Sequence, residues 1–253
     1  MIDYARLMTQ AARLRRMLGE DDNSPVDIFA LAQSIDGLTI VYYPMGENLS
    51  GMCIKGQSDN KLIAINSAMT LGRQRYSLAH EFYHLFYDDN LVSVCAKKIN
   101  AGREVERDAD MFASYFLMPD VALHELAEKI TKQRQEKEMS LNDVIRIEQY
   151  FRVSHQATVY RLMHTPYLSD ETGNDYLCKS VRNRAETLGY SADLYRPSSE
   201  ARRFMTYGKY ITQAQLVLEK KLVSVGKYEE LMLEAFRADL VYGMGEEEGD
   251  MID

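Results

Sequence analysis

What is scarce in this sequence closes off several classes of protein. It has three cysteines, Cys53, Cys95 and Cys178. Odd in number, widely spaced and without a C-x-x-C pair, they support neither a disulfide framework nor a thiolate zinc site, and they read as small core residues. Positive charge is also short: 30 Lys and Arg against 38 Asp and Glu leave a net charge of −8. That balance argues against a chain whose main task is to hold nucleic-acid phosphates. No apolar run approaches the roughly 18 residues of a membrane span. The N-terminus, with Asp3, Arg6, Arg13, Arg15 and Arg16, has no secretory apolar core. A cytoplasmic protein with no membrane partner is expected. Histidine is scarce too, at five in 253 residues, so the place where two of them fall together carries weight.

That place is His80-Glu81-Phe82-Tyr83-His84, an H-E-x-x-H string inside an apolar stretch long enough for a buried helix. With 5 His and 20 Glu, chance would write such a string in roughly one chain in a hundred of this length. On an α-helix, histidines at i and i+4 share a face about 6 Å apart along the axis, so both imidazoles can reach one metal ion. Glu81, between them, can then reach a water activated by that metal.

A catalytic zinc keeps three protein ligands and leaves a fourth position open, and two His with one Glu is a known set. Glu106 opens the segment Glu106-Arg107-Asp108-Ala109-Asp110, 22 residues beyond His84, and is the third ligand of choice. Asp110, one helical turn further on the same face, can accept a hydrogen bond from a ligand histidine's other ring nitrogen and fix its tautomer. The alternative for both is a solvated acid.

These residues resemble the ImmA/IrrE family of bacterial and phage metallo-endopeptidases. The resemblance rests on Arg73-Gln74-Arg75-Tyr76-Ser77-Leu78-Ala79 running into the H-E-x-x-H string. It continues through the E-x-x-A-D segment to Phe112-Ala113 and Phe116-Leu117-Met118-Pro119, and covers roughly residues 25 to 166. Upstream, Leu49-Ser50-Gly51 and Ile63-Ala64-Ile65-Asn66 look like the family's short strands. One departure is Tyr83, where the family usually has a small residue. The resemblance implies a zincin-like core and a protein substrate that is a DNA-binding repressor or antitoxin-like regulator.

Periodicity supplies the rest. Tyr4 to Leu18 reads as an amphipathic helix, and Ser24-Pro25 as the start of a second that stops at Asp36-Gly37. Leu38 to Tyr43, Gly51 to Lys55 and Lys61 to Ile65 read as strands of a small antiparallel sheet, with Gly56 to Asn60 as a turn. Arg73 and Arg75 at the start of the metal helix, and Asp88 and Asp89 at its end, oppose the helix dipole and call for specific partners. The ligand helix runs from Arg103 to Met118, and a further helix reaches about Lys129. Thr131 to Glu138, without an apolar residue, reads as a linker. Ser140 to His164 looks like a helix-turn-helix joined at Phe151-Arg152-Val153-Ser154. Its arginines are nearly balanced by acids, so packing on the core is favoured over DNA. The remainder is helical in pattern, with Thr206 to Glu219 and Lys227 to Tyr242 as helices and an acidic end from Gly245.

The expected fold is α+β: a small antiparallel sheet packed on an H-E-x-x-H helix core, followed by a mainly helical C-terminal part. The expected division is 1–131 for the metallopeptidase core with its N-terminal helix, 132–170 for the helix-turn-helix-like segment, and 171–253 for the helical C-terminal region. The expected function is a zinc-dependent endopeptidase with His80, His84 and Glu106 on the metal, Glu81 as the catalytic base and Asp110 behind a histidine. His124, Tyr76 and Tyr83 are candidate donors to the oxyanion. The rivals are a zinc-stabilised interaction protein that breaks no bond, and a DNA-binding regulator using Phe151 to Leu162.

Overall fold

The computed structural model describes residues 2–56, 59–96, 99, 103–134 and 138–243. The acidic end from Gly245 and the middle of the 56–60 turn lie outside these. Helix α1 (Tyr4–Met17) buries Leu7, Ala11 and Leu14, as its periodicity predicts, and Asp3 caps it by accepting the Arg6 N–H. Helix α2 (Ile28–Ser34) starts later than Ser24-Pro25. Its cap is Asp27, which accepts the Phe29 and Ala30 N–H groups, because the Ser24 hydroxyl is spent on Asp21 at 2.6 Å.

Strands β1 (Leu38–Tyr43), β2 (Leu49–Lys55) and β3 (Lys61–Asn66) form where alternation and β-branching place them. Helix α3 (Leu71–Tyr87) follows, then β4 (Val92–Ala96), α4 (Glu104–Leu117) and α5 (Asp120–Arg134). Helix α5 thus continues through the first half of the run expected to be a linker. The pair α6 (Leu141–Phe151) and α7 (His155–Met163) is joined as expected, with Arg152 left-handed and the Ser154 hydroxyl accepting the Ala157 N–H. Beyond lie α8 (Asp170–Leu177), α9 (Arg182–Thr187), β5 (Met205–Gly208), α10 (Lys209–Glu219), α11 (Val225–Glu234) and α12 (Ala238–Tyr242).

The α+β class holds, with the strands in one five-stranded sheet of order β4-β2-β3-β1-β5. The sheet is mixed rather than antiparallel throughout. The β2–β3 hairpin inserts β3 between β2 and β1, so that β3 runs parallel to β1 (Ile40 opposite Ile63). The outer pairs β2–β4 and β1–β5 are antiparallel. Strands β4 and β5 are additions to the sequence reading. Thr206 to Gly208, the start of the helix expected over Thr206 to Glu219, lies instead in β5, which Gly208 ends at φ +85°. A Cβ on Gly208 would fall 2.2 Å from the Leu38 carbonyl oxygen, so only glycine permits this approach to β1.

Helix α3 lies against β2, β3 and α4. Fourteen of its residues, Gly72 to Leu85, are buried, as a helix apolar around most of its circumference requires. Phe82, Phe112 and Phe116 form the centre, with ring centroids 5.7 and 5.9 Å apart across the α3–α4 seam and along α4. The charged start of α3 has the specific partners its dipole demands. Arg75 donates to the Val26 carbonyl at 2.6 Å and to the Arg152 carbonyl at 2.9 Å, and the Arg73 guanidinium lies 5.4 Å from the Tyr76 ring centroid. In α7, Arg161 is buried, pairs with Asp120 at 2.5 Å and stacks on Tyr115 at 4.3 Å. It faces the fold rather than a phosphate backbone.

Candidate metal centre

One turn of α3 carries His80 and His84 on the same face, and the first turn of α4 brings Glu106 to them across the helix seam. The two Nε2 atoms are 3.2 Å apart. Glu106 Oε2 lies 3.3 Å from His80 Nε2 and 3.8 Å from His84 Nε2. Tetrahedral coordination with metal–nitrogen bonds of 2.0–2.1 Å sets neighbouring ligand atoms roughly 3.3 Å apart. The three atoms therefore stand at nearly the edges of such a tetrahedron. The donor set suits zinc in kind and in spacing.

The imidazoles are held from behind. His80 Nδ1 lies 2.9 Å from Asp110 Oδ1, and His84 Nδ1 lies 2.8 Å from Asp88 Oδ2. A proton on each Nδ1 donated to its carboxylate leaves each Nε2 lone pair facing the centre. The sequence reading includes Asp110 and misses Asp88, which it treats only as a charge at the wrong end of a dipole. The signal was present as an i,i+4 spacing from His84.

Burial and charge explain the electrostatics. Burial opposes a charge on His80, but its hydrogen bonds with Asp110, Cys95 and Glu106 outweigh it and hold the imidazole pKa well above the ordinary value. Burial likewise works against ionised Glu106, yet its hydrogen bonds with His80 and His84 keep that carboxyl well below the usual carboxylate range. A divalent cation at the centre would be held by the two Nε2 lone pairs and the Glu106 carboxylate.

Glu81 is fully buried beside this cluster. Burial pushes its carboxyl up, against the opposing charges of His80 and His84. Its one side-chain hydrogen-bond contact is the Cys95 thiol, and among the described residues no other group reaches either oxygen with good geometry. Room for it exists because β2 has a glycine there: a Cβ on Gly51 would meet Glu81 Oε1 at 2.7 Å and the Ala64 carbonyl at 3.0 Å. Opposite Gly51 on β4 stands Cys95. Its sulfur joins His80, His84 and Glu106 in a group whose ligand atoms all lie within 4.8 Å of one another. Read from the sequence alone, Cys95 is a small core residue. Nothing local betrays its position, because β4 is a strand that the sequence reading does not find.

The other candidates are engaged elsewhere. The Tyr76 hydroxyl donates to the Asp110 carbonyl at 2.7 Å. The Tyr83 phenol lies 3.4 Å from Asp108 and 3.5 Å from Arg6. His124 is 3.2 Å from the Tyr167 hydroxyl on the α5 side. His155 is bound to Glu148 at 2.6 Å, and His164 to the Tyr160 carbonyl at 2.7 Å.

A helix bearing H-E-x-x-H, packed on a sheet and met by a carboxylate from the following helix, defines a metallopeptidase class of zincin-like architecture. The comparison with known families agrees. Residues 36–163, half of the chain, match the M78 peptidase family described as the IrrE N-terminal-like domain, and the chain belongs to that ImmA/IrrE family. It is similar to the radiation response metalloprotease IrrE of Deinococcus deserti, at 30% identity over 105 residues. That match covers 40% of this chain and 36% of the relative, so the chain spans about a third of the length of the protein it matches. Among the described residues, no helix is long and apolar enough to cross a membrane.

Proposed function

We propose that the chain is a zinc-dependent endopeptidase that hydrolyses peptide bonds in one regulatory protein, a DNA-binding repressor or antitoxin-like partner. The observation that carries this reading is the triangle of His80, His84 and Glu106 donor atoms at 3.2, 3.3 and 3.8 Å, with the Glu81 carboxylate fully buried beside it. A buried carboxylate whose only side-chain hydrogen bond is to a thiol costs stability, and such groups concentrate where chemistry needs them.

His80, His84 and Glu106 would hold the ion, and Asp110 and Asp88 would fix the two rings. Bound there, zinc would supply Lewis acidity, polarising a carbonyl and bringing the pKa of a water far below that of bulk water. Glu81, as the general base, would take a proton from the attacking water and deliver it to the departing amine. The substrate strand adds to the outer edge of β4, the terminal strand of the sheet on the side of the centre. Backbone hydrogen bonds there hold an extended peptide, and the exposed Val92 and Val94 contact its side chains.

The test is co-incubation of the zinc-loaded chain with a candidate DNA-binding repressor, such as one encoded in a neighbouring gene. Wild type cleaves it, and Glu81→Gln keeps zinc but cleaves about 10²–10⁴-fold more slowly. A repressor left intact by zinc-loaded wild type under every inducing condition contradicts the substrate assignment. Undiminished cleavage by Glu81→Gln removes Glu81 from the mechanism. Cys95 favours a second reading, a zinc-stabilised interaction protein, because a thiolate in the fourth position is the mark of a closed structural site. That reading predicts zinc-dependent folding and no cleavage of any partner.

A further inference from the structure

We propose that the Cys95 thiolate is a displaceable fourth ligand that closes the metal centre in the resting chain, so that the peptidase is latent until a substrate strand draws Cys95 away. This rests on the reading of the centre as a peptidase site.

Two observations converge on it. The Cys95 sulfur completes a four-atom donor group with His80, His84 and Glu106, all within 4.8 Å of one another and all from residues that are buried or nearly so. A bound thiolate at 2.3 Å needs separations of roughly 3.6 Å from its fellow ligands, so a shift of about an ångström seats the sulfur. Second, Glu81 is fully buried in the space that Gly51 leaves open next to Cys95, whose thiol is its one side-chain hydrogen-bond contact. A purely structural four-ligand site has no use for a fifth buried acid. The centre therefore holds both the ligand that closes it and the base that an open centre requires.

Cys95 is also placed to move. It sits on β4, the terminal strand of the sheet, which among the described residues pairs with β2 alone. On that same strand Val92 and Val94 are more than half and half exposed, at 57% and 50%, while Cys95 is fully covered. A peptide adding to the free edge of β4 bonds to its backbone and can pull the strand outward, taking the sulfur with it. The coordination balances simply: the thiol gives up its proton to water as the sulfur–metal bond forms. On release the sulfur recovers a proton, and a water occupies the vacated position. No oxidant is needed.

The experiment loads wild type, Cys95→Ser, Cys95→Ala and Cys53→Ser with cobalt(II) in place of zinc and measures bound metal and near-ultraviolet absorption. Cleavage of the repressor is then followed with each zinc form. Wild type and Cys53→Ser should bind one cobalt and show the intense thiolate-to-cobalt charge-transfer band. Both Cys95 variants should still bind cobalt through the other three ligands, lose the band, and cleave faster. The gain is roughly tenfold if the closed form holds nine-tenths of the population.

Cobalt bound to wild type without a thiolate band overturns the proposal and leaves the open three-ligand peptidase standing. A band that disappears in the Cys95 variants with no gain in cleavage overturns the displaceable ligand in favour of a fixed structural one. Failure of wild type to bind any metal overturns the peptidase reading itself. If the Cys95 variants do not fold, alkylation of wild type decides. Cys95 should be protected by zinc and become reactive when repressor is added, and protection unchanged by repressor overturns the proposal.

Discussion

Asp88 stands to His84 as Asp110 stands to His80: each carboxylate lies within 2.9 Å of the Nδ1 of a cluster histidine, one from the end of the same helix and one from the neighbouring helix. The pairing fixes both imidazoles with Nε2 inward. Only one of the two acids is reached across the fold, which separates the consequences of removing them.

Replacing either acid with asparagine keeps the size and loses the charge behind the ring. Asp110→Asn and Asp88→Asn are each expected to weaken zinc by about 10–100-fold. Competition with a chelator of known affinity measures this. Asp88 also accepts from the Asn90 N–H at 3.0 Å, so its loss should in addition loosen the turn into β4. Affinity unchanged in both variants would show that the rings are oriented by packing alone.

Gly51→Ala tests the space beside the base. Its methyl would sit 2.7 Å from Glu81 Oε1 and 3.0 Å from the Ala64 carbonyl, and the side chain is the softer of the two neighbours. Glu81 moves, while His80, His84 and Glu106 are not among the atoms nearest the new methyl. A displacement of about 1 Å is expected to lower cleavage about 10²-fold with zinc content unchanged. Full activity in the variant would mean that Glu81 works from another position.

A pH effect is expected away from the metal. Burial opposes charge on His155, but Glu148 at 2.6 Å outweighs it and raises the imidazole pKa above its ordinary value. A histidine whose folded pKa is raised contributes stability that is fully present below its unfolded value of about 6.5 and is lost as pH rises through the folded value. Urea unfolding of wild type and His155→Gln should therefore differ most near pH 6 and converge towards pH 9. A difference that is constant, or that grows with pH, contradicts the pairing.

Much of this fold is legible in the sequence where local physics decides. H-E-x-x-H at helical spacing, the E-x-x-A-D turn, three β-rich runs and the serine cap of α7 each signal themselves within a dozen residues. What is hidden depends on pairing at a distance. Strand β4 has a five-residue pattern too short to stand out, and with it Cys95 goes unnoticed as a neighbour of the metal ligands. Strand β5 exists because Gly208 lets the chain approach Leu38, more than 160 residues earlier. The parallel β1–β3 pair follows from hairpin insertion, which no alternation pattern encodes. The Asp27 cap replaces the expected Ser24 start because Asp21 claims the serine hydroxyl.

The central claim is that His80, His84 and Glu106 together hold one zinc, and metal content by mass spectrometry after chelator-free purification tests it most directly. Wild type and Glu81→Gln are expected to carry near one zinc per chain, and Glu106→Ala and His84→Ala markedly less. A wild-type chain without metal even after zinc is supplied, or zinc retained undiminished in Glu106→Ala and His84→Ala, would contradict the account.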